Sequence, residues 1–312
     1  MPSFTDSSFL SANGKSMIRV RRCTPDDTPR AVIQLTHGIA EHVERYDAFA
    51  AFLAAHGFLV VANDHLGHGK SAASDEELGF FSPVRGWDMA VSDMRTLYVA
   101  TQAEFPALPY FLLGHSMGSF LVRSYLCKYP GGLAGAIISG TGQQPGLILT
   151  AGKAAGKLEI RRHGPQYRSA FLNNLAFGSY NKRCKPQRTE YDWLSRDEAV
   201  VDAYVADPLC GFIPSAGLLT DMLGGIQYME TPANVRNMDK AMPVLFFAGE
   251  ADPVGDYGKG VKKAYASFLA AGMEDVTLKL YPDCRHECLN ELNKDEVYAD
   301  VLAWLESKLN DN

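Results

Sequence analysis

Six short apolar runs, bounded by turn-forming residues and separated by longer stretches of helical spacing, limit this chain to few folds. The runs lie near residues 31 to 36, 58 to 63, 109 to 114, 136 to 140, 243 to 248 and 276 to 281. The helix-patterned stretches lie near 44 to 56, 86 to 104, 117 to 129, 258 to 271 and 294 to 309. Runs such as Pro243-Val-Leu-Phe-Phe-Ala248 lack polar alternation, so both faces of the strand must be buried, which a parallel sheet covered by helices on both sides provides. The sequence therefore predicts an α/β fold with a mainly parallel central sheet flanked by helices. An opening hairpin with an Asn13-Gly14 turn is expected between Phe9 and Cys23.

Between the runs at 136 to 140 and 243 to 248 lie about a hundred residues without a sheet pattern, too many for a structureless connection. From Gly146 to Leu175 apolar groups recur at helical spacing among Lys153, Lys157, Arg161 and Arg162. Ser215 is placed to cap a helix running from Ala216 towards Tyr228. The expected division is a core in two parts, residues 1–142 and 226–312, with a mostly helical cap at 143–225 inserted over the carboxyl ends of the strands.

The chemistry centres on Ser116, in Gly114-His115-Ser116-Met117-Gly118 between a strand and a helix. A turn this sharp forces the serine into strained backbone, and side chains at either flanking glycine would collide with neighbouring elements. Taken alone, the pattern arises by chance in roughly one chain in ten of this length. Two downstream residues give it meaning. Asp252 follows the run ending at Ala248, and His286 follows the run ending at Tyr281. In a parallel sheet all carboxyl ends share one rim, so Ser116, Asp252 and His286 converge there in the order expected of a hydrolase triad. Asp256 lies farther from its strand end, and Asp283 shares the histidine's own loop, so Asp252 is the expected acid. Gly38 follows the run ending at Thr36, so the amide of Ile39 can point into the site and form a two-donor oxyanion hole with that of Met117.

The motifs His37-Gly38-x-x-Glu41-His42-x-x-Arg45-Tyr46, Asp64-His65-Leu66-Gly67-His68-Gly69-Lys70-Ser71, Gly114 to Gly118 and Arg285-His286-Glu287-x-x-Asn290-Glu291 together resemble the monoacylglycerol lipase and lysophospholipase branch of the α/β-hydrolases. The resemblance runs from about residue 16 to 310. It implies a triad of Ser116, Asp252 and His286, an oxyanion hole at Ile39 and Met117, two-step acyl transfer without cofactor or metal, and a cap that receives a lipid chain. Related enzymes leave alternatives open: a serine aminopeptidase, a thioesterase, or a non-catalytic ligand receptor. Epoxide hydrolases and dehalogenases need a carboxylate where this chain has Ser116.

Other motif residues read as structural. Glu41 and Arg45 suit a helical i to i+4 pair. Asp64 is placed to tie the turn from Gly67 to Gly69, and Gly67 to Ser71 lacks the spacing of a phosphate loop. Cys284, His286 and Cys288 match no common zinc motif, and alkylation of either thiol is expected to crowd the His286 loop. A net charge of −6 makes nucleic acid an unexpected partner. The sequence offers no signal peptide or membrane-spanning run, so a cytoplasmic enzyme acting on a small-molecule or lipid ester is expected. An apolar cap edge would suit either a dimer or shallow membrane contact.

Overall fold

The computed structural model describes residues 2–310. Its eight strands are β1 (Ser3–Leu10), β2 (Met17–Thr24), β3 (Ala31–Thr36), β4 (Phe58–Asn63), β5 (Tyr110–His115), β6 (Gly135–Ser139), β7 (Val244–Gly249) and β8 (Val276–Tyr281). They form one sheet in the order β1-β2-β4-β3-β5-β6-β7-β8. β1 and β2 form the antiparallel opening hairpin, and β2 also runs antiparallel to β4. From β4 through β8 every neighbouring pair is parallel.

Successive side chains of a strand point to opposite faces, and each face here has its own core. Val32, Leu59, Leu112 and Phe246 pack with Trp87 and Met94 of α2 (Gly86–Glu104), Leu121 and Tyr125 of α3 (Met117–Lys128), and Phe268 of α9 (Lys259–Ala270). Ile33, Val60, Phe111 and Phe247 pack on the other face with Phe49 and Leu53 of α1 (Asp47–Ala55) and Val297 and Val301 of α10 (Lys294–Asn310). Strands buried on both sides explain the unbroken apolar runs.

Between β6 and β7 the chain forms α4 (Gly146–His163), α5 (Ala170–Phe177), α6 (Glu198–Ala206), α7 (Ala216–Glu230) and the short α8 (Pro232–Val235). α7 runs past residue 225 and packs on α3 and α4, so the inserted segment returns to the core along a continuous helix. Ser215 begins α7: its hydroxyl accepts a hydrogen bond from the amide of Leu218 at 3.1 Å, satisfying one of the unpaired N–H groups of the first turn. Asp93 of α2 holds the opening hairpin by accepting from the Ser11 hydroxyl at 2.8 Å and the Ala12 amide at 2.6 Å.

Ser215→Ala removes the α7 cap without altering the buried apolar surface. The expected cost is about 1 kcal/mol, read as a lower urea midpoint at unchanged slope; an unshifted midpoint would contradict this role for the cap.

Candidate active site

Parallel pairing places the carboxyl ends of β3, β5, β7 and β8 on one rim. The strand order reverses beside β3, the kind of switch point where an open sheet leaves a crevice. β5 leads directly into Ser116, whose φ of 54° and ψ of −122° are costly for a residue bearing a Cβ. The conformation is imposed by close approach. A Cβ on Gly118 would lie 2.0 Å from the carbonyl oxygen of Thr36, and one on Gly114 would lie 2.4 Å from that of Gly118. The turn is pinned further by the Ser116 amide donating to the Ser139 carbonyl at 3.0 Å and by the Ser119 hydroxyl donating to the Ser116 carbonyl at 2.6 Å.

The loops after β7 and β8 bring an acid to a histidine. His286 Nδ1 lies 3.0 Å from Asp252 Oδ2, while Asp252 Oδ1 accepts from the Val254 amide at 2.8 Å. Asp252, not Asp256 or Asp283, is thus the partner of the ring. Burial pulls the His286 pKa down, but the charge and hydrogen bond of Asp252, with smaller contributions from Glu287 and Glu41, outweigh it, and the net shift is upward from the ordinary 6.5. His286 Nε2 is buried and has no hydrogen-bond partner among the described residues. Ser116 and His286 line the same cleft of about 390 Å³ without a hydrogen bond between them, a contact that in unliganded hydrolases is often long and tightens around substrate.

Gly38 lets the loop after β3 approach the serine: a Cβ there would sit 3.1 Å from that of Ser116 and 2.6 Å from Glu41 Oε1. The Ile39 and Met117 amides, at this loop and at the start of α3, have no acceptor among the described residues. Behind them lies a buried network that the sequence disclosed only in part. Arg45 donates to Glu41 at 2.5 Å, the expected i to i+4 pair, and also makes a forked pair with Glu287 at 2.7 and 2.6 Å. Glu41 in turn accepts from the Gly38 amide at 2.5 Å and the Tyr46 hydroxyl at 2.7 Å. Burial raises the Glu41 pKa; it acts the same way on Glu287, but Arg45 overrides it and holds that carboxyl at about 2. The network ties the loop carrying Ile39 to the residue next to His286.

The inserted helical segment holds the same loop from above. The amides of His286 and Glu287 donate to the carbonyls of Trp193 at 3.3 Å and Leu194 at 2.8 Å, and Arg285 donates to those of Asp192 and Ser195 at 2.6 and 2.9 Å. The Trp193 ring lies 5.0 Å from that of His286. Sequence reasoning missed Glu287 and Trp193; their signals were adjacency to the histidine and the apolar cluster from Tyr191 to Leu194. Asp64 does tie its turn, accepting from the Lys70 amide at 2.9 Å, and it also accepts from the Val43 amide at 2.9 Å. Cys284 and Cys288 are fully buried, so the expected effect of alkylation does not apply to the folded protein.

A family profile described as "Serine aminopeptidase, S33" matches residues 27–293. The chain is similar to the monoacylglycerol lipase of Mycolicibacterium smegmatis, 34% identical over 296 residues that cover 92% of this chain and 91% of that one. It is also similar to the monoglyceride lipase of Homo sapiens, 30% identical with 96% and 90% covered. In three dimensions it superposes on a thermostable carboxyl esterase of Bacillus coagulans, solved with glycerol, at a TM-score of 0.90 and 29% identity, covering 98% of this chain and 99% of that one. No helix among the described residues is long and apolar enough to cross a membrane.

Arg45→Met leaves two buried carboxyl groups without their counter-charge. Breaking a buried ionic network in this way is expected to cost about 3–5 kcal/mol, measured by chemical unfolding; a loss below about 1 kcal/mol, the range of exposed pairs, would show that the network adds little.

Proposed function

Because the chain belongs to this α/β-hydrolase family, alongside the monoacylglycerol lipases, and is a hydrolase acting on esters, we propose that it cleaves monoacylglycerol or a similar single-chain lipid ester through an acyl-enzyme on Ser116. His286 Nε2 takes the serine proton as Oγ attacks the ester carbonyl. Asp252 fixes the ring with Nδ1 protonated and stabilises its cationic form. The amides of Ile39 and Met117 receive the oxyanion, where each preorganised donor contributes about 3–4 kcal/mol. His286 then protonates the leaving alcohol, and water hydrolyses the acyl-enzyme by the same route.

The single observation carrying this reading is the meeting, on one rim, of a strained serine, an aspartate-paired histidine with its second nitrogen free, and two unpaired amides. Residues 143–225 are read as the cap. Its Phe177, Tyr191 and Phe212, with Ile39 of the core, give the cleft apolar walls for an acyl chain, while Asn173 and Gln187 offer hydrogen bonds to a polar headgroup. Leu147, Phe171 and Leu175 are exposed by 86, 61 and 61% and would face a lipid surface.

A peptidase taking a free N-terminus would need an unengaged carboxylate near the serine. Of the carboxyl groups lining the cleft, Glu41 and Glu287 are both held by Arg45, which leaves the exposed Glu190 as the one such a peptidase would have to use.

Ser116→Ala is expected to keep its circular dichroism spectrum and lose about 10⁴-fold or more in kcat on monoacylglycerol; retained turnover in folded protein would refute the assignment. His286 acts as base only when neutral, and its pKa is raised. kcat/KM should therefore fall as pH drops through a midpoint above 6.5. A rate constant through the mildly acidic range would contradict this.

A further inference from the structure

Three side chains outside the reaction's machinery converge where the inserted segment meets the loop after β3. His42 follows that loop, and Asp207 and Cys210 lie just beyond α6. One ligand atom from each, an imidazole nitrogen, a carboxylate oxygen and a sulfur, fall within 4.8 Å of one another. His42 Nε2 is 2.8 Å from Asp207 Oδ2, with the two side chains exposed by only 6 and 30%. Cys210 is buried. A tetrahedral ion with bonds of about 2.0–2.3 Å separates its ligand atoms by roughly 3.3–3.8 Å. The trio brackets that spacing, with one pair at 2.8 Å and all three atoms within 4.8 Å.

The surrounding charge suits a cation. Asp207 brings a carboxylate to the trio, and the nearby guanidinium of Arg45 is already paired with Glu41 and Glu287. Coordination releases the Cys210 thiol proton, shifts the His42 ring proton from Nε2 to Nδ1, and replaces the His42 to Asp207 hydrogen bond with two bonds to the metal. A nitrogen, an oxygen and a sulfur donor select a borderline ion such as Zn²⁺ or Co²⁺ over Mg²⁺ or Ca²⁺, which require oxygen ligands. Asp207, the partly exposed member, provides the way in, and a fourth position is left for water.

We propose that His42, Asp207 and Cys210 form a reversible zinc-type site that fastens the inserted segment to the loop bearing Ile39. The two are already stitched at this point: the Ala40 carbonyl accepts from the Gly211 amide at 3.0 Å and the Tyr204 hydroxyl at 2.9 Å. Gly211 and Phe212, next in sequence to Cys210, line the cleft. An ion here restrains the cleft wall beside the serine and brakes turnover. The braking role rests on the ester-hydrolase reading; the site itself does not.

The test is cobalt titration of the reduced, full-length protein, read by absorbance. The expected result is one equivalent per chain, with tetrahedral d–d bands and a thiolate-to-cobalt charge-transfer band that zinc displaces. Cys210→Ser should abolish the charge-transfer band. Asp207→Asn, at a partly exposed position that does not threaten folding, should weaken zinc binding by at least the roughly 10- to 100-fold that losing a mere outer partner costs a metal site. Absence of the thiolate band, or its survival in Cys210→Ser, overturns the site. Zinc should also slow ester hydrolysis by wild type, with that sensitivity reduced in Asp207→Asn; equal rates with and without bound zinc overturn the brake. The absorbance readings need no catalysis, so they stand whatever substrate the enzyme proves to take.

Discussion

The close crossing of α3 over β3 governs the rest of this structure. Gly118 sits where a single added carbon would overlap the Thr36 carbonyl, and Gly114 where it would overlap Gly118 itself. With both positions reduced to backbone, the helix can begin immediately after β5, and Ser116, midway between them, takes its strained conformation. That one turn projects the hydroxyl from the sheet and sets the first amide of α3 beside it. The strain is sustained by hydrogen bonds at Ser116 to Ser139 and Ser119, so it is stored in a part of the molecule that cannot relax alone.

Everything else at the rim is arranged to hold two other loops at matching positions. The loop after β3 is braced through Glu41 and Arg45 to Glu287, so the loop carrying Ile39 and the histidine loop share one buried ionic scaffold. The helical insertion grips the same histidine loop through main-chain bonds from residues 192 to 195. Core and insertion thus converge on His286 from opposite sides. A displacement of the insertion is transmitted to His286, which is the physical route by which the proposed cation would act.

Much of this was legible in the sequence, for identifiable reasons. Strands buried on both faces cannot hide their composition, so the six core strands and the helices between them were readable from apolar runs and helical spacing. The convergence of Ser116, Asp252 and His286 was readable because parallel topology converts distance along the chain into proximity at a rim. Ser215 was readable because an N-cap is local chemistry. What escaped were contacts between segments with no local signature: Glu287 meets Arg45 across 242 positions, and Asp207 meets His42 across 165. Glu41 and Arg45 were visible as a pair because they are four apart; their third partner was not. The insertion was recognised as helical, but the face of each helix that would line the cleft depended on how it docks, which periodicity does not encode.

Labelling with a fluorophosphonate, followed by peptide mapping, tests the central claim most directly, because the reagent reacts only with a serine activated by its histidine and oxyanion donors. The account predicts a single adduct on Ser116 that disappears in folded His286→Ala protein. An adduct on another residue, no adduct at all, or undiminished labelling without His286 would contradict it.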